Sequence, residues 1–467
     1  MMDPAVLKTL STIVGPEHFT ILSDDLSRYA TDASKLEFMP DAVIFPGTEG
    51  EISQILVLAN REGFPVIPRG AGTGTTGGAL PVQGGVILAM DRFDRIIHID
   101  QDNLIAQVEP GVITARLQEE VEKVGLFYPP DPASTAISTI GGNVAECAGG
   151  LRAVKYGVTR DYILGLRVVL PTGEIIKTGV QTAKGVVGYD LTRLIVGSEG
   201  TLAVITAITL RLIPKPASKK TMMAFFPDVP STVQTVSDIL RNKIIPTALE
   251  FMDQLCIDCV REEMGLSVPS EAKALLLIEM DGDEMLTGKE AEKVQVLCRK
   301  WGAIRCQGAR DKEEAERLWE ARRNVSLSIM RLRPHKINQD VVVPRSRMAE
   351  LILFLDQLSL NHGLPLPAFG HAGDGNIHVN IMLDRNNPRE MEEAGTLLRE
   401  LFGKVLEMGG TLSGEHGVGI TKAPYIHMEI SPPALQLMIR LKKAFDPRDI
   451  LNPGKIFNQS RMRSRVL

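Results

Sequence analysis

Two short glycine-rich stretches hold residues that could bind a metal ion. HAGDGNIHVN contains His371 and His378, and SGEHGVG contains Glu415 and His416. Two neutral imidazoles and a carboxylate form a ligand set that holds Zn²⁺, Mn²⁺ or Fe²⁺ with open coordination positions. A histidine taken alone is more often a core or surface residue than a ligand. The combination of the two stretches therefore favours a divalent metal site, without choosing among these ions.

A third stretch, PRGAGTGTTGG, has the composition to enclose a diphosphate. Gly72, Gly74 and Gly77 fit the spelling G-x-G-x-x-G, which in nucleotide-binding Rossmann folds opens a helix at its last glycine. Here GALP follows, so we predict no helix and exclude a Rossmann site. What remains is a loop whose backbone N–H groups and hydroxyls could surround a diphosphate. A turn without a ligand is the alternative, although five glycines in residues 70–78 are a costly way to build one.

The segment VIFPGTEGEISQILVLANREGFPVIPRG is predicted to form a strand, a helix and a strand ahead of this loop. Thr48 is the predicted helix cap, with Glu51 three residues later, and Gly63 follows the helix end. The apolar residues at helical spacing are Ile52, Ile55, Leu56 and Ala59. The pattern indicates a βαβ-type unit whose second strand leads into the glycine loop.

Short strands continue to about residue 213 in GGVILAM, LIAQVEPG and LRVVLPTGEIIKTG, and RLIPKPASKK is the predicted linker that follows. Beyond it, strands in KTMMAFFPD, AKALLLIEMDG and LPAFGHAGDGNIHVNIML alternate with amphipathic helices in STVQTVSDILRNK, GKEAEKVQVLCRKWG and MAELILFLDQLSLNHG. This pattern suits an antiparallel sheet covered by helices. In the strand IHVNIML, alternation places His378 and Asn380 on one face and Ile377 and Val379 on the other.

The composition is that of an ordinary soluble protein with more than one core. A chain of 467 residues, 44% of them hydrophobic, exceeds the roughly 250 to 300 residues at which single cores stop growing, so we expect two domains. A net charge of −5 argues against nucleic-acid binding, and the basic tail RMRSRVL is too short to change this. We find no export leader and no apolar run of the ~18 residues that suggest a transmembrane segment, so we expect a cytoplasmic protein.

The cysteines point to no structural metal or disulfide framework. There are five of them, and CIDC, Cys256 to Cys259, lacks a second pair at zinc-site spacing. Unpaired thiols are the expectation, with a zinc knuckle or a redox pair as the alternative. The chain also lacks a cysteine run for an iron–sulfur cluster and a haem-attachment motif.

Seven stretches, in this order, resemble the FAD-linked 2-hydroxy-acid oxidoreductases. They are PRGAGTGTTGG, DPASTAISTIGGNVAECAGG, KYGVTRDYILGLRVVLPTGEII, GYDLTRLIVGSEGTLAVIT, GHAGDGNIHVN, SGEHGVG and FDPRDILNPGKIF. This family includes the relatives of glycolate oxidase's flavin subunit, D-lactate dehydrogenase and D-2-hydroxyglutarate dehydrogenase, within the vanillyl-alcohol-oxidase (PCMH) type of flavoprotein. The match spans nearly the whole chain.

The resemblance implies an α+β fold in three sections. Residues 1–213 would form a two-part FAD-binding domain of PCMH type. Residues 214–410 would form an α+β cap domain with an antiparallel sheet over the flavin ring. Residues 411–467 would carry the Glu-His motif and return to the FAD domain.

The resemblance also assigns residues to FAD. The loop residues implied at the diphosphate are Arg69, Gly70, Ala71, Gly72, Thr73, Gly74, Thr75, Thr76 and Gly77. Those implied to line the flavin and its ribityl chain are Pro130, Asp131, Ser134, Ser138, Thr139, Gly141, Gly142, Asn143 and Gly149, and those implied to lie along the cofactor are Gly200, Val204 and Ile205. Some members attach FAD through a histidine in the glycine loop. This loop has none, so we expect noncovalent FAD.

Cys147 is a second departure, because relatives are expected to carry a small polar residue there. The change is either simply tolerated, or it tunes the flavin or leaves an oxidisable thiol.

At the metal and substrate, the resemblance makes His371, His378 and Glu415 the ligands and His416 the catalytic base. The residues implied to bind the substrate are Arg322 and Lys336, at its carboxylate, with Ser326 and Asn380 as further polar contacts. Arg323 adjoins Arg322, which leaves the register of that arginine less secure. Without the resemblance, the arginine-rich stretch in LWEARRNVSLSIMRLRPHKINQDVVVP would be interpreted as a solvated helix.

The implied activity is a metal-assisted, FAD-dependent dehydrogenase that oxidises a D-2-hydroxy acid to the 2-oxo acid by hydride transfer to flavin N5. D-lactate or glycolate is favoured, because no second acid-binding group stands out. Electrons would pass to a soluble protein, either an electron-transferring flavoprotein or an iron–sulfur subunit, with direct oxidation by O₂ as the alternative. The competing interpretations are an FAD-dependent oxidase of another alcohol without metal, a non-catalytic FAD-binding subunit and a metallohydrolase. The last would leave the glycine loop unexplained.

Overall fold

A computed structural model describes residues 2–264 and 268–457 of the chain. The basic tail RMRSRVL, weighed above, lies outside the described residues. The chain divides into two compact units. The first comprises residues up to Ala148, Val158–Lys215 and residues from Glu415 onward, and the second comprises Gly149–Gly157 and Pro216–Gly414. The domain limits at 213 and 410 stay predictions from the sequence.

The strands of the first unit are β1 Phe19–Thr20, β2 Ala42–Ile44, β3 Val66–Arg69, β4 Val86–Ala89, β5 Ile96–Asp100, β6 Ile105–Val108, β7 Leu126–Phe127, β8 Ile163–Val169, β9 Ile175–Gly179, β10 Val204–Arg211 and β11 Ile213–Pro214. Those of the second are β12 Ser218–Phe226, β13 Ala248–Asp253, β14 Ala274–Gly282, β15 Arg305–Gly308, β16 His335–Val342, β17 Ala368–His371 and β18 Asn376–Leu383.

The helices, in chain order, are α1 Pro4–Val14, α2 Ser23–Tyr29, α3 Glu49–Glu62, α4 Thr114–Lys123, α5 Ile140–Glu146, α6 Ala153–Tyr156, α7 Leu191–Ile195, α8 Val229–Arg241, α9 Gln254–Val260, α10 Glu284–Lys300, α11 Lys312–Ser328, α12 Met348–His362, α13 Pro388–Glu407, α14 Ile426–Glu429 and α15 Pro432–Phe445. None of the helices within residues 2–264 and 268–457 is both long and apolar enough to span a lipid bilayer.

The predicted strand–helix–strand unit is present as β2, α3 and β3. Thr48 caps α3 by accepting a hydrogen bond from the Glu51 amide (3.2 Å), and Gly63 ends the helix at φ +78°. The two strands are not neighbours, however, because β4 lies between them and pairs parallel to both. β3 ends at Arg69, so the glycine loop begins where this sheet ends.

The remaining strands of the first unit form a separate five-stranded antiparallel sheet in the order β5-β6-β10-β8-β9. β7 and β11 form a separate two-stranded antiparallel sheet. The stretches predicted as strands up to residue 213 are therefore strands, separated by turns.

The second unit contains the predicted antiparallel sheet, with the strand order β15-β12-β14-β13-β17-β18-β16. The predicted amphipathic helices are observed as α8, α10 and α12. One face of the sheet packs its apolar residues, including Phe369 and Met382, against α9 and α11 in a buried cluster. His378 is the cross-strand partner of Phe369, and cross-strand partners point to the same side of a sheet. The candidate site residue His378 therefore lies on this face.

The cysteines are free thiols, as expected from the sequence. Cys256 and Cys259, the CIDC pair, lie buried on α9. Burial raises the pKa of the Cys256 thiol, with the carboxylate of Asp253 acting in the same direction. A protonated buried thiol is a poor nucleophile, so this pair has the character of core packing.

Candidate active site

The hairpin of β17 and β18 brings together the two histidines of HAGDGNIHVN. His371 is the last residue of β17 and His378 lies in β18. Their ring centroids are 5.2 Å apart and the ring planes are nearly perpendicular, at 87°. The turn between the strands requires glycine at Gly375, whose φ is +91° and where a Cβ atom would lie 2.1 Å from the Val343 carbonyl oxygen. The turn therefore needs glycine at this position, and the pairing of β17 with β18 sets the distance between the imidazoles.

Glu415 completes a group with these histidines, in which one ligand atom from each residue lies within 4.8 Å of the others. The preceding residue, Gly414, donates its amide to the carboxylate and the carbonyl oxygen of Asp340, at 2.9 Å each. Asp340 lies on β16 directly opposite His378. Within the described residues, this is the one group of three or more histidine, cysteine or acidic residues with such spacing. Two imidazoles and one carboxylate suit a divalent transition metal.

Glu250 is a member of this cluster that sequence reasoning missed. It lies on β13 opposite His371 and is fully buried. One carboxylate oxygen, Oε1, lies 2.7 Å from His371 Nδ1, and the other accepts hydrogen bonds from Arg322 Nε (2.8 Å) and Nη2 (2.5 Å). The available signal was a carboxylate inside the otherwise apolar strand sequence ALEFM. A buried charge of this kind is rare unless it is paired.

Arg322 is the arginine that points inward from α11. It is buried, whereas Arg323 is exposed. Its guanidinium carbon lies 4.7 Å from the centroid of the Phe369 ring. The interpretation of this stretch as a solvated helix is wrong, because α11 also buries Leu318, Trp319 and Val325. The structure thus distinguishes two adjacent arginines that the sequence left open.

Lys336 and Asn380 lie on the same sheet face as His378. Lys336 pairs with Met382 and Asn338 pairs with Asn380 across β16 and β18. Lys336 Nζ donates to Ser326 Oγ at 2.5 Å and to the Ser326 carbonyl oxygen. Asn380 is fully buried and accepts a hydrogen bond from Asn338 Nδ2 at 3.0 Å. The four residues implied as substrate contacts therefore all belong to the second unit, together with the two histidines.

The glycine loop of the first unit has main-chain amides and a hydroxyl that form no hydrogen bond with other described protein groups. No helix follows it before α4. Among the described residues, no main-chain amide from Gly70 to Gly77 donates a hydrogen bond to another protein group. The Thr75 hydroxyl is likewise buried without a partner. Amide donors that no described protein group uses are available to an anion, and the buried Thr75 hydroxyl lacks a partner, so this loop fits a ligand such as a diphosphate.

Space in the loop also requires its glycines. A Cβ atom on Gly70 would lie 2.3 Å from Thr139 Oγ1, and one on Gly77, at φ +80°, would lie 2.6 Å from Ile420 Cγ1. Gly72 is left-handed, at φ +67°. The Arg69 side chain is engaged within the protein, donating to the carbonyl oxygens of Thr31 (2.7 Å) and others. The Arg69 guanidinium therefore binds main-chain carbonyl oxygens of the protein and stabilises the start of the loop.

The other residues implied at the flavin cluster around the start of α5. Thr139 caps this helix by accepting from the Gly142 amide (3.2 Å). Asn143 Nδ2 donates to Thr114 Oγ1 (2.8 Å), which also lies 3.0 Å from Ser138 Oγ. These buried side chains satisfy each other, so they hold the shape of the helix entrance. The remaining implied residues lie as follows: Pro130, Asp131 and Ser134 in the loop before α5, Gly141 in α5, Gly149 at the start of the segment Gly149–Gly157, Gly200 in a turn, and Val204 and Ile205 buried in β10.

Cys147 follows α5 directly as its C-cap, in the left-handed conformation at φ +55°. Its thiol is half-buried and free. Nothing in the structure explains why a cysteine stands at this position.

The turn that carries His416 is held by Glu199, a second residue that sequence reasoning missed. The buried Glu199 carboxylate accepts hydrogen bonds from the amides of Val418 (2.8 Å) and Gly419 (2.7 Å). The His416 carbonyl oxygen accepts one from the Thr76 hydroxyl (3.2 Å). Burial raises the pKa of Glu199, and the two amides oppose that shift. The available signal was Glu199 beside Gly200 in the stretch GSEG.

Comparison with known families identifies the chain. Residues 215–456 match the C-terminal domain of FAD-linked oxidases, and residues 40–179 match an FAD-binding domain. The chain belongs to the FAD-linked oxidase family. This confirms the resemblance drawn from the seven motifs.

Two curated relatives of this FAD-linked oxidase match over most of their length. Glycolate oxidase subunit GlcD of Bacillus subtilis (strain 168) is 46% identical over 468 residues, which cover 100% of this chain and 99% of the relative. D-lactate dehydrogenase of Anaerostipes hadrus is 35% identical over 426 residues, which cover 89% of each.

A solved structure supports the fold of this FAD-linked oxidase. The crystal structure of p-cresol methylhydroxylase with substrate bound has a TM-score of 0.81 at 19% identity, covering 97% of this chain and 96% of that chain. The predicted α+β fold of the PCMH type is therefore confirmed. The family match also makes the chain an FAD-linked oxidoreductase, and the metallohydrolase interpretation is wrong.

Proposed function

We propose that this FAD-linked oxidase is a metal-assisted dehydrogenase that oxidises D-lactate or glycolate to the 2-oxo acid. The observation that carries the proposal is the cluster of His371, His378 and Glu415. Glu250 contacts both His371 of this cluster and the buried Arg322. The names of the relatives, a glycolate oxidase subunit and a D-lactate dehydrogenase, support the substrate class. An alcohol oxidase without metal would leave this ligand set unused.

The substrate carboxylate is proposed to bind Arg322 and Lys336. Arginine presents planar paired donors that match a carboxylate, and lysine adds a second positive charge. Asn380 on β18 and Ser326 on α11, which contacts Lys336, add polar contacts. Arg322 and Asn380 are buried, and burial strengthens charged hydrogen bonds to the substrate.

Three side chains are proposed to hold the metal, and one to move the proton. A divalent cation held by His371, His378 and Glu415 would lower the pKa of the substrate hydroxyl. FAD, when bound, supplies the hydride acceptor. His416 then removes the hydroxyl proton near neutral pH, where an imidazole is a suitable base. The hydrogen bonds of Glu199 to Val418 and Gly419 keep the His416 turn in place for this step.

FAD is proposed to be noncovalent, and its electrons are proposed to leave to another protein. The glycine loop from Arg69 to Gly78 contains no histidine for attachment. The sequence holds neither an iron–sulfur motif nor a haem motif. An electron-transferring flavoprotein or an iron–sulfur subunit in the cytoplasm is the proposed acceptor, and the B. subtilis relative is itself named a subunit.

The purified chain is expected to reduce an artificial dye with D-lactate or glycolate much faster than it forms hydrogen peroxide. The measurement compares dye reduction with peroxide production, after acid precipitation has shown that the yellow flavin moves into the supernatant. Comparable rates with O₂ alone would make the protein a self-sufficient oxidase. If neither D-lactate nor glycolate reduced the flavin, the proposed substrate class would be refuted.

The pH profile should show an alkaline limb set by Lys336. Burial lowers the pKa of this lysine to about 8, against a smaller opposing effect of Cys256. Below that pH the lysine is charged and binds the substrate carboxylate, and above it the charge is lost. We expect kcat/KM for D-lactate to fall by about tenfold per pH unit above pH about 8. Lys336→Arg keeps its charge and should remove this limb. A wild-type profile that stays flat from pH 8 to 10 would contradict the assignment.

A further inference from the structure

We propose that Glu250 is a positioning residue that couples the metal site to the substrate-binding arginine. Its two carboxylate oxygens are divided between His371 and Arg322, at distances of 2.5 to 2.8 Å. The carboxylate is fully buried, so water does not compete for either contact. This inference rests on the proposed function, in which His371 binds the metal and Arg322 binds the substrate carboxylate.

The contact with His371 selects which ring nitrogen can bind a metal ion. A carboxylate accepts hydrogen bonds, so His371 Nδ1 carries the proton and donates it to Glu250 Oε1. Nε2 is then the ring nitrogen that carries the lone pair with which an imidazole binds a cation. Carboxylate partners of this kind also fix the ring orientation and increase the basicity of a ligand histidine.

The contact with Arg322 holds the guanidinium in one orientation. Nε and Nη2 both donate to Glu250 Oε2, and the guanidinium carbon lies over the Phe369 ring. Nη1 is the terminal nitrogen that these two bonds to Glu250 leave for the substrate carboxylate. Without Glu250, Arg322 would be a buried cation without its anion, which is strongly unfavourable.

Strand register explains why one residue can serve both groups. Glu250 is the direct cross-strand partner of His371, and Met252 is the partner of Phe369, over whose ring Arg322 lies. The carboxylate therefore lies between the imidazole and the guanidinium. A glutamine at this position removes the negative charge that Arg322 pairs with, and it offers one acceptor oxygen in place of two, so both contacts are weakened. An aspartate is one methylene shorter, which draws both oxygens back from His371 and Arg322.

The test compares Glu250→Gln with the matched variant Glu279→Gln. Glu279 is a buried carboxylate on the neighbouring strand β14, paired with Lys219 Nζ at 2.7 Å, and β13 lies between its strand and the strand of His371. Mn²⁺ is titrated into each metal-free, FAD-loaded protein, and binding is followed by the loss of the free-ion electron paramagnetic resonance signal. Steady-state kinetics with D-lactate then separate KM from kcat.

For Glu250→Gln we expect metal affinity to fall by about 10- to 100-fold and KM to rise, with the FAD content unchanged. Glu279→Gln should change neither. If Glu250→Gln does not fold, Glu250→Asp keeps the charge and should show the same two losses. Wild-type Mn²⁺ affinity in the Gln or Asp variant, or a change in one readout alone, would overturn the coupling and leave the proposed function standing. A wild-type protein that takes up no Mn²⁺, Zn²⁺ or Fe²⁺ would overturn both.

Discussion

His378→Ala is expected to lose its divalent metal and to reduce flavin with D-lactate at least about 100-fold more slowly. Removing one imidazole leaves an incomplete ligand set of His371 and Glu415, and the affinity of a metal site depends on its full set of ligands. FAD should be retained, since the glycine loop that fits its diphosphate belongs to the first unit. Elemental analysis of metal per flavin, together with anaerobic flavin reduction, measures both effects.

His362→Ala is the control for this prediction. His362 is another histidine of the second unit, but it lies at the end of α12 and pairs with Glu393 and Glu400. Its removal should change neither the metal content nor flavin reduction. Metal content in His378→Ala equal to that of the wild-type protein would disprove the assignment of this ligand.

The second large effect is expected for His416→Asn, which should keep FAD and metal but lower kcat by about 10² to 10⁴-fold. Asparagine retains a polar side chain of similar reach, but it cannot accept the hydroxyl proton near neutral pH. The loss should appear in the rate of flavin reduction rather than in substrate binding alone. Stopped-flow absorbance under anaerobic conditions measures this rate directly.

His427→Asn is the matched control, because His427 is an exposed histidine eleven residues later, on α14. It should reduce flavin at the wild-type rate. If the flavin of His416→Asn were also reduced at the wild-type rate, His416 would be excluded as the base.

Features that depend on a few consecutive residues were predictable from the sequence. The cap of α3 at Thr48 and its end at Gly63 follow from the hydrogen-bonding side chain and the left-handed glycine. The hairpin turn between His371 and His378 needs Gly375 for the same local reason, a backbone with positive φ. The absence of a helix after the glycine loop was also predictable, because GALP does not open one. The family motifs are local stretches as well, which is why they identified the fold.

The partners of the site residues were decided only by the tertiary structure. Glu250 reaches His371 across 121 positions and Arg322 across 72 positions of sequence, and Glu199 reaches Gly419 across 220 positions. The pairings of Glu250 depend on strand order and register, and that of Glu199 depends on the approach of two distant turns, which no single segment encodes. The insertion of β4 between β2 and β3 is of the same kind. The sequence alone therefore determined which residues could do the chemistry, whereas the sheet determined which carboxylates hold them, because a buried charge is stable only where packing supplies its partner.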